Sequence, residues 1–180
     1  MNNDLLDLYS RASEWTLDKV KGAANALDSD TPCDEWHVRE LMNHMLETQR
    51  YFVGSARGEN VSPPGQTPPT TLLSDKPVSD FKRAREETMS TYSDKDVLEK
   101  TGPTLGIAFA DQLLHGWDLA KATGQDTTMP AGLAEVAYKT IHGRFTDEQR
   151  KGVFKPAVNV SDNASAQDKF LAYAGRDPNA

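Results

Sequence analysis

Two side chains that can bind a metal ion, Asp111 and His115, stand four residues apart in an otherwise apolar segment. An α-helix turns about 100° per residue, so side chains at this spacing leave the same face of the helix. That face also carries Ile107, Leu114 and Leu119, which indicates that it is buried. A buried carboxylate without a partner costs several kcal/mol, so Asp111 needs compensation. A local hydrogen bond to His115 would supply it, and so would a shared metal ion.

A third candidate ligand, His44, lies beside Leu41 and Met45 on the apolar stripe of an earlier predicted helix. One buried histidine is usually a hydrogen-bonded core residue, but here a spaced pair on another helix can meet it. Two neutral imidazoles and one carboxylate leave coordination positions open, as in zinc enzymes and in two-histidine, one-carboxylate iron sites. The residues therefore predict a divalent metal site at His44, Asp111 and His115, with structural hydrogen bonding as the alternative.

The elements that must position these side chains are helices, because apolar residues recur at helical spacing through most of the chain. The predicted long helices span about 4–27, 35–56, 79–92 and 106–123, followed by one from Pro130 into the 140s and a short one over 165–173. Helix starts are predicted at Asp34, Ser79 and Ser165. Helix ends are predicted at Gly58, Gly124 and Gly175. Gly102 and Pro103 indicate a turn inside the ambiguous segment 93–105.

Between the second and third helices lies a long segment, 60–77, with five prolines. Helices and central strands cannot absorb that density, so a surface loop is expected, either an inert crossover or a lid over a site. The expected fold is all-α: an up-and-down four-helix bundle with one long crossover loop and a short C-terminal helix, forming a single domain over 1–180.

Composition excludes several classes of function. The net charge of -7, with no cluster of Lys and Arg, argues against nucleic acid or an anionic membrane as partner. Cys33 is the single cysteine, so no internal disulfide can form, and the first residues lack the pattern of a secretory signal. No apolar stretch approaches the roughly 18 residues of a membrane span. A cytoplasmic location is expected.

Asp118 stands near His115 on the same predicted helix. It could orient a ligand histidine through a hydrogen bond, or tie its helix to a neighbour through Arg39 or a backbone amide. The remaining polar and aromatic candidates are expected to have structural roles. These are Cys33 in a turn, Trp36 and Trp117 in the core or a helix seam, His37 and His142 at the surface, and Arg176 in a local salt bridge with Asp177.

Three stretches resemble a known family: TPCDEWHVRELMNHM from Thr31 to Met45, DQLLHGWDLAKATG from Asp111 to Gly124, and GRDP from Gly175 to Pro178. They are similar to the metal-binding relatives of mycothiol-dependent maleylpyruvate isomerase, within the DinB/YfiT-like bundle superfamily. The resemblance implies a four-helix bundle with zinc, or alternatively nickel, held at one end.

In that family the ligands are a histidine on the second helix, which His44 matches, and two residues on a later helix. His115 matches the last histidine, and Asp111 falls where isomerase-like members have glutamate and many DinB-like members have histidine. The isomerase also has a further carboxy-terminal domain that contributes to its active site. This chain ends soon after the bundle, so maleylpyruvate itself is not the expected substrate.

The resemblance implies a metal centre that takes a low-molecular-weight thiol such as mycothiol or bacillithiol, and a transferase or isomerase acting on small electrophiles. A metal-dependent hydrolase is a close rival, because the same ligands can activate water. The sequence is also compatible with a metal-dependent binding module without turnover, and with a purely structural bundle that forms a homodimer through an apolar seam.

Overall fold

The computed structural model describes residues 2–33, 36–150 and 154–179. Within these ranges the chain forms seven α-helices and no strand, apart from an isolated bridge between Asp30 and His37. The helices are α1 (Asn2–Ala23), α2 (Val38–Ala56), α3 (Pro77–Tyr92), α4 (Lys95–Ala122), α5 (Leu133–Ile141), α6 (Asp147–Arg150) and α7 (Ala166–Tyr173). The all-α prediction is confirmed.

The first four helices form the bundle. Both α1 and α2 pack against α3 and α4, and α5 bridges α4 and α7. One buried cluster, which includes Tyr9, Phe109 and Phe170, joins α1 and α4 to α5 and α7. A second, around Met42 and Phe81, joins α2 to α3. None of the helices in the described ranges is long and apolar enough to cross a membrane.

Helix α4 begins much earlier than expected and runs through the predicted turn at Gly102 and Pro103. Asp94 caps it, because its side chain accepts hydrogen bonds from the backbone amides of Asp96 and Val97. Proline normally disfavours helical backbone in the preceding residue through contacts that include that residue's Cβ. Gly102 has no Cβ, so this penalty is reduced, and the packing of α4 on the bundle outweighs the lost hydrogen bond.

Several helix boundaries also differ from the sequence prediction. Helix α3 begins at Pro77, which takes the first helical position, so Ser79 is not its cap. Helix α5 begins at Leu133, after Gly132 in the left-handed region (φ 80°), and not at Pro130. Helix α6 was not predicted. The prediction for Ser165 is confirmed, because its side chain accepts from Asp168 N, whereas Asp34 lies outside the described residues.

Helices α1 and α4 approach closely at Gly116, in the middle of the DQLLHGWDLAKATG stretch. A Cβ atom there would lie 2.6 Å from Trp15 Cζ3 and 2.7 Å from Thr16 Oγ1. Thr16 uses the same hydroxyl to donate to Gln112 O at 2.7 Å. The glycine therefore sets how near α1 can come to the helix that carries Asp111 and His115.

The long connection between α2 and α3 is held to the bundle by Asn43, the residue before His44. Asn43 is 2% exposed, and its Oδ1 accepts from Leu72 N at 3.0 Å and Leu73 N at 2.9 Å. Asp80 then accepts from Ser74 N at 2.8 Å. Asn43 thus fixes the last part of the crossover to the helix that carries His44, and Asp80 fixes it to α3.

Candidate metal centre

The structure brings the three predicted side chains together between α2 and α4. One potential ligand atom from each of His44, Asp111 and His115 lies within 4.8 Å of the other two. His115 Nε2 is 3.4 Å from Asp111 Oδ1, and the rings of His44 and His115 meet edge to face with centroids 5.1 Å apart. His115 is buried and the other two are partly buried, so the cluster is largely shielded from bulk water.

Two atoms of this cluster lack a hydrogen-bond partner among the described residues. They are His44 Nδ1 and Asp111 Oδ2, both buried. Buried polar atoms are nearly always hydrogen-bonded, and leaving one unpaired costs about 1–3 kcal/mol. The local Asp111–His115 contact, the alternative to a metal, leaves both atoms unsatisfied. The donor set of two imidazoles and a carboxylate therefore fits a divalent cation that would satisfy both.

The surroundings of His44 favour its neutral form, which is the form that binds metals. Burial, followed by the charge of His115, lowers the pKa of His44 to about 4. Its ring packs against Trp36, with centroids 4.8 Å apart, and its Nε2 is 3.5 Å from Thr48 Oγ1. Trp36 was expected to be a core or seam residue, and it does pack, partly buried, against the second hydrophobic cluster as well as against this candidate ligand.

His115 lies between two carboxylates. Its Nδ1 is 3.0 Å from Asp118 Oδ2, on the side of the ring opposite to Asp111. Burial opposes the charged form of His115, but the two carboxylates outweigh this effect and raise its pKa well above the usual value. A cation bound here would displace the proton from Nε2. His115 would then be held by a carboxylate on Nδ1 with Nε2 directed at the site, which is the usual arrangement of metal-ligating histidines.

Asp118 is bound by Arg176, whereas Arg39, one of the partners considered from the sequence, is exposed. Arg176 Nη2 donates to Asp118 Oδ2 at 2.8 Å, and Nε donates to Oδ1 at 3.2 Å. Asp118 is fully buried and Arg176 is 7% exposed. The expected Arg176–Asp177 salt bridge is wrong, because the guanidinium points inward while Asp177 accepts from Asn179 N. Burial alone would raise the pKa of Asp118, but Arg176 and then His115 hold it well below its usual range.

Cys33 also joins this buried network, which the sequence did not indicate. Its thiol lies 3.2 Å from Asp118 Oδ2, and Arg176 Nη2 donates to its sulfur at 3.2 Å. Cys33, His115 and Asp118 form a second group whose atoms could hold an ion. The Asp118 carboxylate is already engaged by Arg176 and His115, and the guanidinium would repel a cation. We therefore favour the cluster around His44.

The candidate ligands open into a cavity of ≈ 940 Å³. Its wall includes Trp36 and Cys33 near the cluster, Pro63, Pro64, Gly65 and Gln66 from the crossover loop, and Phe145, Phe154 and Phe170 from the carboxy-terminal part of the chain. The proline-rich segment thus forms part of the wall of this cavity. A cavity of this size accommodates a small organic molecule.

The remaining predicted roles are structural. His37 is exposed and precedes α2, with Nδ1 3.1 Å from Asp30 Oδ1. His142 is exposed and packs against Tyr138 and Tyr173, away from the cluster. Trp117 is 3% exposed and belongs to the core, as expected.

Comparison with known proteins gives one family and two relatives. Residues 9–104 match the family described as mycothiol maleylpyruvate isomerase N-terminal domain. Two proteins of Mycobacterium tuberculosis, "Uncharacterized protein MT0763" of strain CDC 1551 / Oshkosh and "Uncharacterized protein Rv0738" of strain ATCC 25618 / H37Rv, are each 30% identical over 160 residues. The aligned region covers 85% of this chain and 86% of each relative. No solved structure matches significantly.

Proposed function

Because the chain belongs to the mycothiol maleylpyruvate isomerase N-terminal domain family, we propose that it is a metal-dependent thiol transferase or isomerase. In this proposal His44, Asp111 and His115 hold one divalent metal ion. The cosubstrate is a low-molecular-weight thiol such as mycothiol, and the substrate is a small electrophile that enters the cavity. We also propose that residues 1–180 form one domain, because α4 continues past the end of the family match and packs against α5.

The observation that carries the proposal is the pair of unsatisfied buried atoms, His44 Nδ1 and Asp111 Oδ2, beside His115. A purely structural cluster would pair these atoms with each other or with neighbouring groups. Imidazole nitrogens and a carboxylate oxygen suit zinc best and also accept nickel. Three protein ligands leave a position open, which is typical of catalytic rather than structural zinc sites.

When bound, the ion would supply Lewis acidity and lower the pKa of a thiol ligand, so that the thiolate is available near neutral pH. The protein's own groups would orient this chemistry. Asp118, fixed by Arg176, would hold the proton on His115 Nδ1 and leave Nε2 directed at the site. Apolar side chains of the cavity wall, among them Phe52, Leu114 and Phe170, would contact the body of the electrophile.

Metal analysis of the purified protein is the first test. We expect about one equivalent of divalent metal in the unaltered chain, and loss of most of it in His44→Ala, Asp111→Ala and His115→Ala. His142→Ala is the matched control, since His142 is exposed and lies outside the cluster, and it should retain the metal. Equal metal contents in all five proteins would refute the site.

The second test separates catalysis from binding. The metal-loaded protein is incubated with mycothiol, bacillithiol or no thiol, together with a panel of small electrophiles, and products are measured by mass spectrometry. Thiol-dependent and metal-dependent product supports the proposal. Turnover without thiol would identify a hydrolase, and metal binding without any product would identify a non-catalytic binding module.

A further inference from the structure

The cavity carries a second polar feature outside the metal cluster, on the carboxy-terminal part of the chain. Arg150, the last residue of α6, lines the cavity, and its Nη1 is buried without a hydrogen-bond partner among the described residues. From this feature we infer that the cavity binds an apolar monocarboxylate, with the carboxylate held by Arg150. The inference deepens the proposed function, because it names the substrate class. It rests on that function in one respect only, namely that the bound ligand is chemically transformed.

The guanidinium of Arg150 is fixed in place by its neighbours. Its Nη2 donates to Tyr173 O at 2.7 Å, and its Cζ lies 4.3 Å from the centroid of the Tyr173 ring and 5.5 Å from that of Phe154. A stacked, hydrogen-bonded guanidinium loses little further freedom when it binds an anion. The unsatisfied Nη1 donor is therefore held in position before any ligand binds.

The charges around the cavity favour an anion. Arg150, Lys155 and Arg176 line it, and among the described lining residues they face a single carboxylate, that of Asp111. Arg176 is paired with Asp118, and Lys155 donates to Pro32 O at 2.8 Å. Among the described lining residues, Arg150 supplies the guanidinium or ammonium nitrogen that is buried without a hydrogen-bond partner, Nη1. A carboxylate would satisfy it through a charge-assisted hydrogen bond.

The rest of the ligand is indicated by the wall beside Arg150. Ile141, Phe145, Phe154 and Phe170 line the same cavity, with the rings of Phe145 and Phe154 packed edge to face at 5.4 Å. Such a wall gains by burying an apolar body, and a second charged group placed against these four side chains would lose its hydration without gaining a partner. A monocarboxylate with an aliphatic or aromatic body fits better than a polar diacid. All of these residues lie beyond the family match, which ends at residue 104.

The test is a calorimetric titration with 4-phenylbutyrate and with its uncharged amide. The unaltered protein should bind the acid roughly tenfold or more tightly than the amide, as expected for a charge-assisted hydrogen bond. Arg150→Gln should bind both alike, whereas Arg150→Lys should keep part of the preference. Arg144→Gln is the matched control, because Arg144 is exposed and lies outside the cavity wall, and it should keep the full preference.

Because a carboxylate can also bind a metal ion, the titrations are repeated on chelator-treated protein and on His44→Ala. The preference for the acid should persist in both. Its disappearance there, its survival in Arg150→Gln, or failure of the unaltered protein to bind the acid would overturn the inference. If the purified protein holds no metal but still prefers the acid to the amide, the proposed function is refuted and the present inference stands.

Discussion

Replacing Arg176 tests the buried network that orients His115. In Arg176→Met the side chain keeps much of its length, but the fully buried Asp118 loses bonds of 2.8 and 3.2 Å. Removing one partner of a buried ion pair costs about 3–5 kcal/mol, because the other charge remains buried. At about 2–4 °C per kcal/mol for a domain of this size, the melting temperature should fall by roughly 6 to 20 °C.

The assay is thermal and urea unfolding in chelator, so that metal binding does not contribute. Asp118→Asn and the double variant complete a double-mutant cycle, for which we expect a coupling energy of about 2 kcal/mol. Arg39→Ala is the control, since Arg39 is exposed and should change stability by less than about 0.5 kcal/mol. A loss below about 1 kcal/mol in Arg176→Met would refute the argument.

The pair of Arg176 and Asp118 also determines how the free energy of unfolding changes at acid pH. The pKa of Asp118 is lower in the folded protein than in the unfolded chain, where it is 3.8. The contribution of Asp118 to the free energy of unfolding is therefore complete above pH 3.8 and is lost as the pH falls below 3.8. Arg176→Met should therefore weaken the dependence of unfolding free energy on pH in this range. An unchanged slope between about pH 5 and 2 would contradict the assignment of Arg176 as the partner that stabilises the carboxylate.

Three further predictions concern the bundle. Gly116→Ala should lower the free energy of unfolding by roughly 1–3 kcal/mol, because the Cβ of the alanine would overlap Trp15. Urea unfolding measures this change, and an unchanged free energy would mean that α1 has room to move. Pro103→Ala should stabilise the protein by up to about 3 kcal/mol, because Pro103 is exposed inside α4, and a loss in the same assay would contradict that view. Burial raises the pKa of Tyr92 to about 12, so the stability that its neutral phenol contributes should be lost as the pH rises from 10 towards 12. Tyr92→Phe should lower the free energy of unfolding by about 1 kcal/mol at about pH 7, because the hydrogen bond to Phe52 O is lost. In this variant the free energy of unfolding should also fall less steeply at alkaline pH.

The sequence predicted the features that depend on local spacing. The helical periodicity is visible around His44 and around Asp111 and His115, and the bundle then brings the two segments together, as the structure shows. The cap at Ser165 is likewise a local pattern. The continuity of α4 through Pro103 was not predictable, because the local rule for proline is overridden by packing along the whole helix.

The partners of Asp118 could not be read from spacing either. Arg176 is 58 residues from Asp118, and Cys33 is 143 residues from Arg176. Their contact depends on where the chain places its carboxy-terminal segment after α7. The one available signal was chemical, since Asp118 on a buried helix face needs a cationic partner. Arg150 was missed for the same reason, because its role depends on the cavity.

X-ray absorption spectroscopy at the zinc edge of the zinc-loaded protein tests the central claim most directly. Ligation by His44, Asp111 and His115 predicts a first shell of nitrogen and oxygen at about 2.0–2.2 Å, with the scattering of two imidazoles, and one imidazole fewer in His44→Ala. A sulfur neighbour at about 2.3 Å would instead place the ion at Cys33. That result, or a first shell without imidazole, would contradict the account.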